Sequence, residues 1–286
     1  MTDSTSEVAF KALPGLRDTS GAQASHGGHG IDEILAVVNE LEAAAIPSCV
    51  VGVKALRYYG AGRVTDVGPA LCSTVSLEND ADPAQEWDLC VPDEKLEAAQ
   101  KLLLNDDPNE AAYEVATSPP PVPWSLRHTY PCLRLKGYNF WVVLAPSSDY
   151  FVDPGQPEHV ERSLNGVPYA SLVQYSRSLL LLQMMPDLAD FIDGMDLTVE
   201  WGAENIGFEA LQEESGKFWE LRNERVEKNG DSCGRLETKV LEEVWKDRAN
   251  KEAKGLRIEP MKQGRYFTRW RRFKAPEDPR TKERPV

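Results

Sequence analysis

Two carboxylates separated by one residue are the clearest chemical feature of the sequence. Glu86 and Asp88 lie within the segment EWDLCV at residues 86–91. Side chains at positions i and i+2 of a β-strand point to the same face, so both carboxylates can bind one ligand. Such a pair binds a divalent cation that bridges phosphate oxygens, or it binds a guanidinium or ammonium group directly. A solvated strand face is the third interpretation, because carboxylates are common there.

A glycine that follows a buried segment is the second chemical feature. Residues 48–53, SCVVGV, predict a short buried strand, and residues 54–60, KALRYYG, predict a helix. At this junction Gly52 lets a phosphate-bearing ligand approach the backbone, close to the N–H groups of a helix start. Lys54 and Tyr59 on the following helix complete the predicted substrate-binding residues.

The elements that must position these residues predict an α+β protein. Helices alternate with apolar strands in the first half of the chain, and charged amphipathic helices follow in the second half. The order indicates a small mixed sheet followed by a helical C-terminal region. The predicted helices cover residues 31–46, 54–60 and 92–104, with another from about Ser171 and two charged ones in ESGKFWELRNERVEKN and RLETKVLEEVWKDRANKEAK; strands cover 48–53, 86–91, 132–137 and 139–146, the last two joined as a hairpin at Gly137-Tyr138.

Composition favours a cytoplasmic protein. No apolar run approaches the ~18–20 residues that a membrane span requires, so we expect no membrane partner. The N-terminus lacks a signal-peptide pattern, and the five cysteines are odd in number without a CxxC pair, which favours reduced thiols. Residues 1–30 are rich in Gly, Ser and Ala, and their composition predicts a disordered leader.

Charge is distributed unevenly along the chain. The formal net charge is −14, but residues 254–286 contain 11 Lys and Arg against 4 Asp and Glu, a balance of +7. The remaining residues therefore carry −21. The basic segment interleaves aromatic side chains, which stack on unpaired bases while guanidinium groups bind phosphates. We predict contact with RNA, not DNA; the alternative is that this tail docks on the acidic body of the protein. The predicted RNA-binding residues are Arg265, Arg269, Trp270, Arg271, Arg272 and Lys274.

In their order along the chain, these motifs resemble the nucleotidyltransferase-fold family. In that family a strand ends in two small residues, a short helix follows, and an acidic pair stands on the next strand. The segment VVGVKALRYYGAGRVT at 50–65 is similar to the first part, and EWDLCV is similar to the second. NGVPYASLVQYSRSLLL at 165–181 is similar to the segment before the helix that follows the sheet. The resemblance covers residues 31–185. The charged amphipathic helices predict a helical region over 186–253, and the charge balance distinguishes the tail over 254–286.

Two departures from the family pattern argue against ordinary nucleotidyl transfer from magnesium–ATP. Val53 replaces the second small residue, and its side chain would crowd a triphosphate. The strand at 139–146 is wholly apolar where the family has a third carboxylate, and Asp149 falls beyond Pro146. A Mg²⁺-dependent nucleotidyltransferase and a catalytically inactive binding member of the fold are therefore alternatives.

A second resemblance, to the fungal arginine-containing cyclodipeptide synthases, rests on chain length, on the WDLCVP strand and on the aromatic-basic tail. These are small proteins that condense arginine from its tRNA with a second amino acid. The resemblance implies a tRNA-dependent transferase that binds aminoacyl-tRNA and requires neither cofactor nor metal. Amide formation needs a base for the attacking amine, and Glu86, Asp88 or His128 are the candidates. It also needs hydrogen-bond donors for the developing oxyanion, for which Arg63, Tyr58 and Tyr59 are the candidates.

Overall fold

A seven-stranded mixed sheet forms the centre of the protein, with the strand order β3-β4-β5-β2-β1-β7-β6. The computed structural model describes residues 21–61, 85–105, 111–118, 125–228, 239–258 and 278–281. The strands are β1 (Cys49–Val51), β2 (Gln85–Val91), β3 (Tyr113–Val115), β4 (Cys132–Leu135), β5 (Phe140–Pro146), β6 (Val160–Arg162) and β7 (Pro168–Ala170).

Eleven helices are present in the described ranges, and together with the sheet they confirm the α+β class. Three-residue 3-10 turns occur at Asp93–Lys95, Arg127–Thr129, Pro157–His159 and Pro279–Thr281. The helices are α1 (Ser25–Gly28), α2 (Ile31–Ala43), α3 (Gly52–Tyr58), α4 (Leu96–Leu104), α5 (Ser147–Tyr150), α6 (Leu172–Leu181), α7 (Met185–Met195), α8 (Val199–Asn205), α9 (Phe208–Lys228), α10 (Leu241–Ala249) and α11 (Lys251–Ile258).

The central strands place the acidic pair beside the glycine junction. Strand β2 pairs antiparallel with β1 and parallel with β5, so Asp88 lies opposite Val51 on one side and Val143 on the other. Strands β4 and β5 form the predicted antiparallel hairpin, which turns at Gly137 with φ of +76°. This positive φ suits glycine because it has no Cβ atom to clash with the backbone.

Three of the seven strands were not predicted from the sequence. Strands β3, β6 and β7 are only three residues long, too short to show the alternation that identifies a strand. They become strands because neighbouring strands offer free hydrogen-bonding edges: β4 for β3, β1 for β7 and β7 for β6. The sheet is therefore larger than expected.

The last ten residues of the predicted leader are packed against the sheet domain. Ala22 exchanges backbone hydrogen bonds with the hairpin turn, donating to Gly137 O at 2.7 Å and accepting from Asn139 N at 2.8 Å. The backbone N–H of Ser25 donates to a Glu33 carboxylate oxygen at 2.9 Å. Backbone and polar contacts order residues 21–30, which composition alone assigns to a disordered leader. Residues 1–20 lie outside the described ranges.

The C-terminal helices pack on the sheet domain through α6, α7 and α10. The predicted charged helix over 235–254 is divided in two, because Asn250 has extended backbone angles between α10 and α11. Its side-chain oxygen accepts a hydrogen bond from Ala253 N at 2.8 Å, which caps the start of α11. Within the described ranges, no helix is both long and apolar enough to cross a bilayer.

Candidate functional site

Glu86 and Asp88 share one face of β2, as their spacing predicts. The residues between and after them, Trp87 and Leu89, are fully buried on the opposite face. The Trp87 indole fixes this orientation, since its Nε1 donates a hydrogen bond to His29 O at 3.1 Å. A shift of β2 by one residue would swap its two faces and expose these two large apolar side chains. Their burial therefore determines which face carries the carboxylates.

A guanidinium group lies between the two carboxylates. Arg127 donates from Nε and Nη2 to Asp88 Oδ1, at 2.9 and 2.7 Å, and its Nη2 also contacts Glu86 Oε1. The side chains of Arg127, Glu86 and Asp88 are 26%, 19% and 11% exposed, so the group is largely buried but still reaches solvent. Charge-assisted hydrogen bonds of this kind are stronger than neutral ones.

Gly52 is required by the close approach of Asp88. Its φ is +65°, and a Cβ atom at this position would collide with the Asp88 carboxylate. The Tyr175 hydroxyl donates to Gly52 O at 2.9 Å and holds the junction from the other side. The glycine after β1 therefore makes room for a carboxylate of the protein, whereas the sequence suggested room for a phosphate.

The position beside Asp88 on β5 is apolar, as the sequence predicts. Val143 is in register with Asp88 and Trp141 with Glu86, and both are buried. The nearby acid Asp149 lies after the end of β5, on α5, and is committed to other partners. Within the described ranges no group of three His, Cys, Asp or Glu side chains could hold a metal ion. On β5 the position in register with Asp88 therefore carries a valine and no third acid of the kind that a two-magnesium nucleotidyl-transfer centre uses.

A second arginine–carboxylate group surrounds Asp149, whose side chain is 2% exposed. Arg225 of α9 binds it with both terminal nitrogens, at 2.6 Å to Oδ1 and 3.0 Å to Oδ2. Arg222 approaches Oδ1 at 3.5 Å, and the Tyr130 hydroxyl donates to Oδ2. These contacts fasten α9 to the end of β5.

Burial and hydrogen bonding shift the acidities around this group. Burial raises the pKa of Asp149, although the Tyr130 hydrogen bond and both arginines act in the opposite direction. Burial alone would also raise the pKa of Asp93, but hydrogen bonds from Ser148 and Ser147 lower it overall. The pKa of Tyr150 is raised by burial and then by the charge of Asp88, so its phenol is protonated at neutral pH.

The predicted oxyanion donor Tyr58 lies at the far end of α3 from Gly52, six residues or about 9 Å along the helix. Its ring stacks on Tyr169 at 4.1 Å between centroids, and its hydroxyl donates to Glu161 at 3.1 Å. Burial and Glu161 both raise the Tyr58 pKa. The structure therefore groups Tyr58 with Glu161, away from the acidic pair.

The other predicted substrate-binding residues are buried. Tyr59 is fully buried, and its hydroxyl donates to Ala170 O at 2.6 Å, which makes it a core residue. Lys54 is also buried, with its ammonium nitrogen 4.9 Å from the centroid of the Trp87 ring. Trp87 faces away from the carboxylates, so this contact places Lys54 among the groups that support β2.

His128 lies beside Arg127 on the same 3-10 turn, and its Nδ1 is buried without a hydrogen bond to any described residue. Arg63, the second predicted oxyanion donor, lies outside the described ranges. So do the predicted RNA-binding residues Arg265, Arg269, Trp270, Arg271, Arg272 and Lys274.

Both described ends of the predicted basic tail dock on the body. Arg257 binds Asp193 with two nitrogens at 2.6 Å each, and Lys254 lies 3.1 Å from Asp196. Arg280 lies 3.3 Å from Glu161. Gly60 lies next to both ends of the segment. A Cβ atom added to Gly60 would lie 2.8 Å from the backbone oxygen of Gly194, which follows the Arg257 partner Asp193. It would also lie 3.0 Å from Pro279, which precedes Arg280. Docking on the acidic body, the alternative to RNA binding, holds for these described residues.

Sequence analysis missed the two arginines that matter most. Arg127 is 39 residues from Asp88, and Arg225 is 76 residues from Asp149. Neither arginine lies in a recognisable motif. Arg127 immediately precedes His128, which the sequence suggested as a candidate base. An excess of acid on a half-buried strand is the signal that could have prompted a search for a basic partner.

Comparison with known proteins gives no family. No protein-family model matches the sequence, and no curated protein is significantly similar to it.

Proposed function

We propose that this protein is an aminoacyl-tRNA-dependent transferase that forms a small arginine-containing cyclodipeptide on a nucleotidyltransferase-like scaffold. The observation that carries the proposal is the guanidinium of Arg127 between Glu86 and Asp88. A pair of carboxylates that accepts an internal guanidinium has the right charge, spacing and hydrogen-bond acceptors for the side chain of a substrate arginine. The β1–Gly52–α3 junction next to an acidic strand supports the scaffold.

The reaction needs no metal or nucleotide for its stoichiometry. The α-amine of one aminoacyl-tRNA attacks the ester carbonyl carbon of a second aminoacyl-tRNA. An amide forms, and the tRNA of the second residue leaves with a free 3′-hydroxyl. The α-amine of this second residue then attacks the ester that remains on the first residue, which closes a six-membered ring and releases the other tRNA. Each amide is formed at the expense of an ester bond, so two aminoacyl-tRNAs yield one cyclodipeptide and two tRNAs.

Within this reaction we assign Glu86 and Asp88 to recognition of the arginine side chain. A carboxylate that is paired with a guanidinium is a poor proton acceptor, so this assignment replaces the expectation that one of them is the general base. Arg63 keeps its predicted role as an oxyanion donor, and His128 remains the candidate base. Tyr58 is not assigned a role in the reaction because its hydroxyl is bonded to Glu161.

The predicted tRNA contact is the basic-aromatic run between the two docked ends of the C-terminal segment. Arg257 and Arg280, in the described residues on either side of this run, both bind acidic side chains of the body. Aromatic side chains within it would each contribute about 1–3 kcal/mol per stacked base. Binding should therefore be strong at low salt and weaken as the salt concentration rises.

Expression in a heterologous host followed by untargeted metabolite profiling tests the proposal. We expect a new arginine-containing diketopiperazine, together with tRNA that copurifies with the protein at low salt. The double variant Glu86→Gln/Asp88→Asn should lose the product and keep the bound tRNA, because the two contacts are separate. Absence of the product in the wild-type protein would overturn the proposal, and absence of copurifying tRNA would overturn the predicted tRNA contact.

A catalytically inactive binding protein is the second candidate, favoured by Arg127, which already occupies the acidic pair. This alternative predicts that Glu86→Gln/Asp88→Asn leaves partner binding unchanged and that no product is formed by any variant. A Mg²⁺-dependent nucleotidyltransferase is opposed by Val143, the apolar neighbour of Asp88. Magnesium-dependent release of pyrophosphate that disappears in Asp88→Asn would establish it.

A further inference from the structure

We propose that Arg127 is an exchangeable internal ligand of the acidic pair, and that a substrate guanidinium enters the site by displacing it. This inference rests on the proposed function and adds to it a competitor built into the chain. The three charged side chains meet near the surface, where the Arg127 side chain is 26% exposed. A side chain that already reaches solvent can leave the carboxylates without the body of the protein opening.

The backbone around Arg127 is fixed on both sides, so only the side chain has to move. Leu126 and Tyr130 are buried, and the Thr129 hydroxyl donates to Leu126 O at 2.6 Å. Tyr130 N donates to Arg127 O at 3.2 Å and closes the 3-10 turn. Rotation about the four side-chain torsions of Arg127 would therefore free the carboxylates without unfolding the turn.

Exchange of one guanidinium for another preserves the chemistry of the site. The incoming group can replace the donors that Arg127 now provides to Asp88 Oδ1 at 2.7 and 2.9 Å and to Glu86. Neither carboxylate is then left buried without a cation, which is the costly intermediate in most rearrangements of buried charge. A Lys ammonium offers a single point charge and cannot match a planar group that spans both carboxylates.

The internal competitor selects for large ligands. A tethered group acts at an effective concentration in the millimolar range, so free arginine at lower concentration is outcompeted. An arginine that is attached to a macromolecule gains binding energy from other contacts and can displace Arg127. The apparent association constant for any ligand equals the intrinsic constant multiplied by the fraction of molecules in which Arg127 has left the site. Arg127 thus favours arginine on tRNA over the free amino acid.

Binding of methylguanidine, measured by titration calorimetry, tests the inference without tRNA or product formation. We expect Arg127→Ala to bind methylguanidine at least about tenfold more tightly than the wild type, as for a site that Arg127 fills in about 90% of molecules. Adding Glu86→Gln and Asp88→Asn to this variant should remove the binding. The matched control is Arg162→Ala, which removes a half-exposed arginine paired with Glu42 and should give no gain.

A second variant guards against a folding defect. Arg127→Gln keeps the stem and two amide donors but no charge, and it should show the same gain in methylguanidine affinity. Circular dichroism establishes that each variant is folded. Folded Arg127→Ala or Arg127→Gln protein that binds methylguanidine no better than the wild type would overturn the inference.

The outcome also separates this inference from the proposed function. Tighter methylguanidine binding without any cyclodipeptide from the wild-type protein would leave the exchangeable ligand established and reject the synthase. A cyclodipeptide from the wild type, with no gain in the arginine variants, would support the synthase and reject the displacement of Arg127.

Discussion

Two arginine–carboxylate groups lie near each other on the sheet, and they differ in how deeply the carboxylates are buried. Glu86 and Asp88 are 19% and 11% exposed and face Arg127 on a three-residue turn. Asp149 is 2% exposed and binds Arg222 and Arg225 on the 21-residue helix α9. The first group joins a strand to a short turn, and the second joins the end of a strand to a long helix.

Ion pairs of the same chemistry can therefore serve either ligand exchange or the assembly of the fold, depending on how deeply they are buried. A carboxylate that solvent can reach can change its partner, because water or a ligand can take the place of the arginine. A carboxylate that is fully enclosed cannot lose its partner without leaving a buried charge. We therefore expect substitutions at Asp149 to lower stability and substitutions at Glu86 and Asp88 to change binding and product formation.

The largest effect on stability is expected from Asp149→Asn. This change leaves two arginines without their shared anion, which should lower the free energy of unfolding by about 3–5 kcal/mol. Urea denaturation followed by circular dichroism measures it. Glu97→Gln is the matched control: Glu97 pairs with Lys101 on an exposed helix face, and no measurable change is expected. A loss at Asp149 no larger than that of the control would contradict its structural role.

A smaller effect is expected from Gly52→Ala. Alanine at φ of +65° costs about 1–2 kcal/mol, and the added methyl group would push the Asp88 carboxylate aside. The loss should appear in urea denaturation and as weaker methylguanidine binding in the Arg127→Ala background. Gly216→Ala is the matched control, and we expect it to raise the free energy of unfolding instead of lowering it. It lies inside α9 with open space at its Cβ position, so it should stabilise by about 0.5–1 kcal/mol. Unchanged stability in Gly52→Ala would show that the junction relaxes.

The acidic pair itself should matter little for stability. Glu86→Gln/Asp88→Asn leaves Arg127 able to turn towards solvent, so the free energy of unfolding should change by no more than about 1 kcal/mol. The cyclodipeptide should nevertheless disappear. If the double variant is destabilised as strongly as Asp149→Asn, the two groups are alike and the comparison fails.

The smallest effect is expected from the pH dependence of Asp93, which lies beside the Asp149 group. Its pKa is lowered in the folded protein from the ordinary value of 3.8. The stabilisation is therefore present above that value and is lost as pH falls through the lower folded pKa. Thermal unfolding of the wild type and Asp93→Asn should differ near neutral pH and converge in acid. A difference that stays constant down to the acid limit would exclude this linkage.

The α+β class, the β4–β5 hairpin and the common face of Glu86 and Asp88 can all be predicted from the sequence. These features follow from local rules: alternation along a strand, periodicity along a helix, and the backbone freedom of glycine. The apolar position beside Asp88 also follows from the sequence, because the strand 139–146 carries no acid. Local rules could not supply the order of residues 21–30 or the three short strands, which depend on edges formed elsewhere in the chain.

Which cation faces each carboxylate depends on contacts between distant parts of the chain. Arg127 meets Asp88 across 39 residues, Arg225 meets Asp149 across 76, and Tyr58 meets Glu161 across 103. A charged side chain is flexible and carries no periodic signal, so its partner is set by the packing of distant elements around it. The sequence placed two acids on one strand; the fold brought a guanidinium between them.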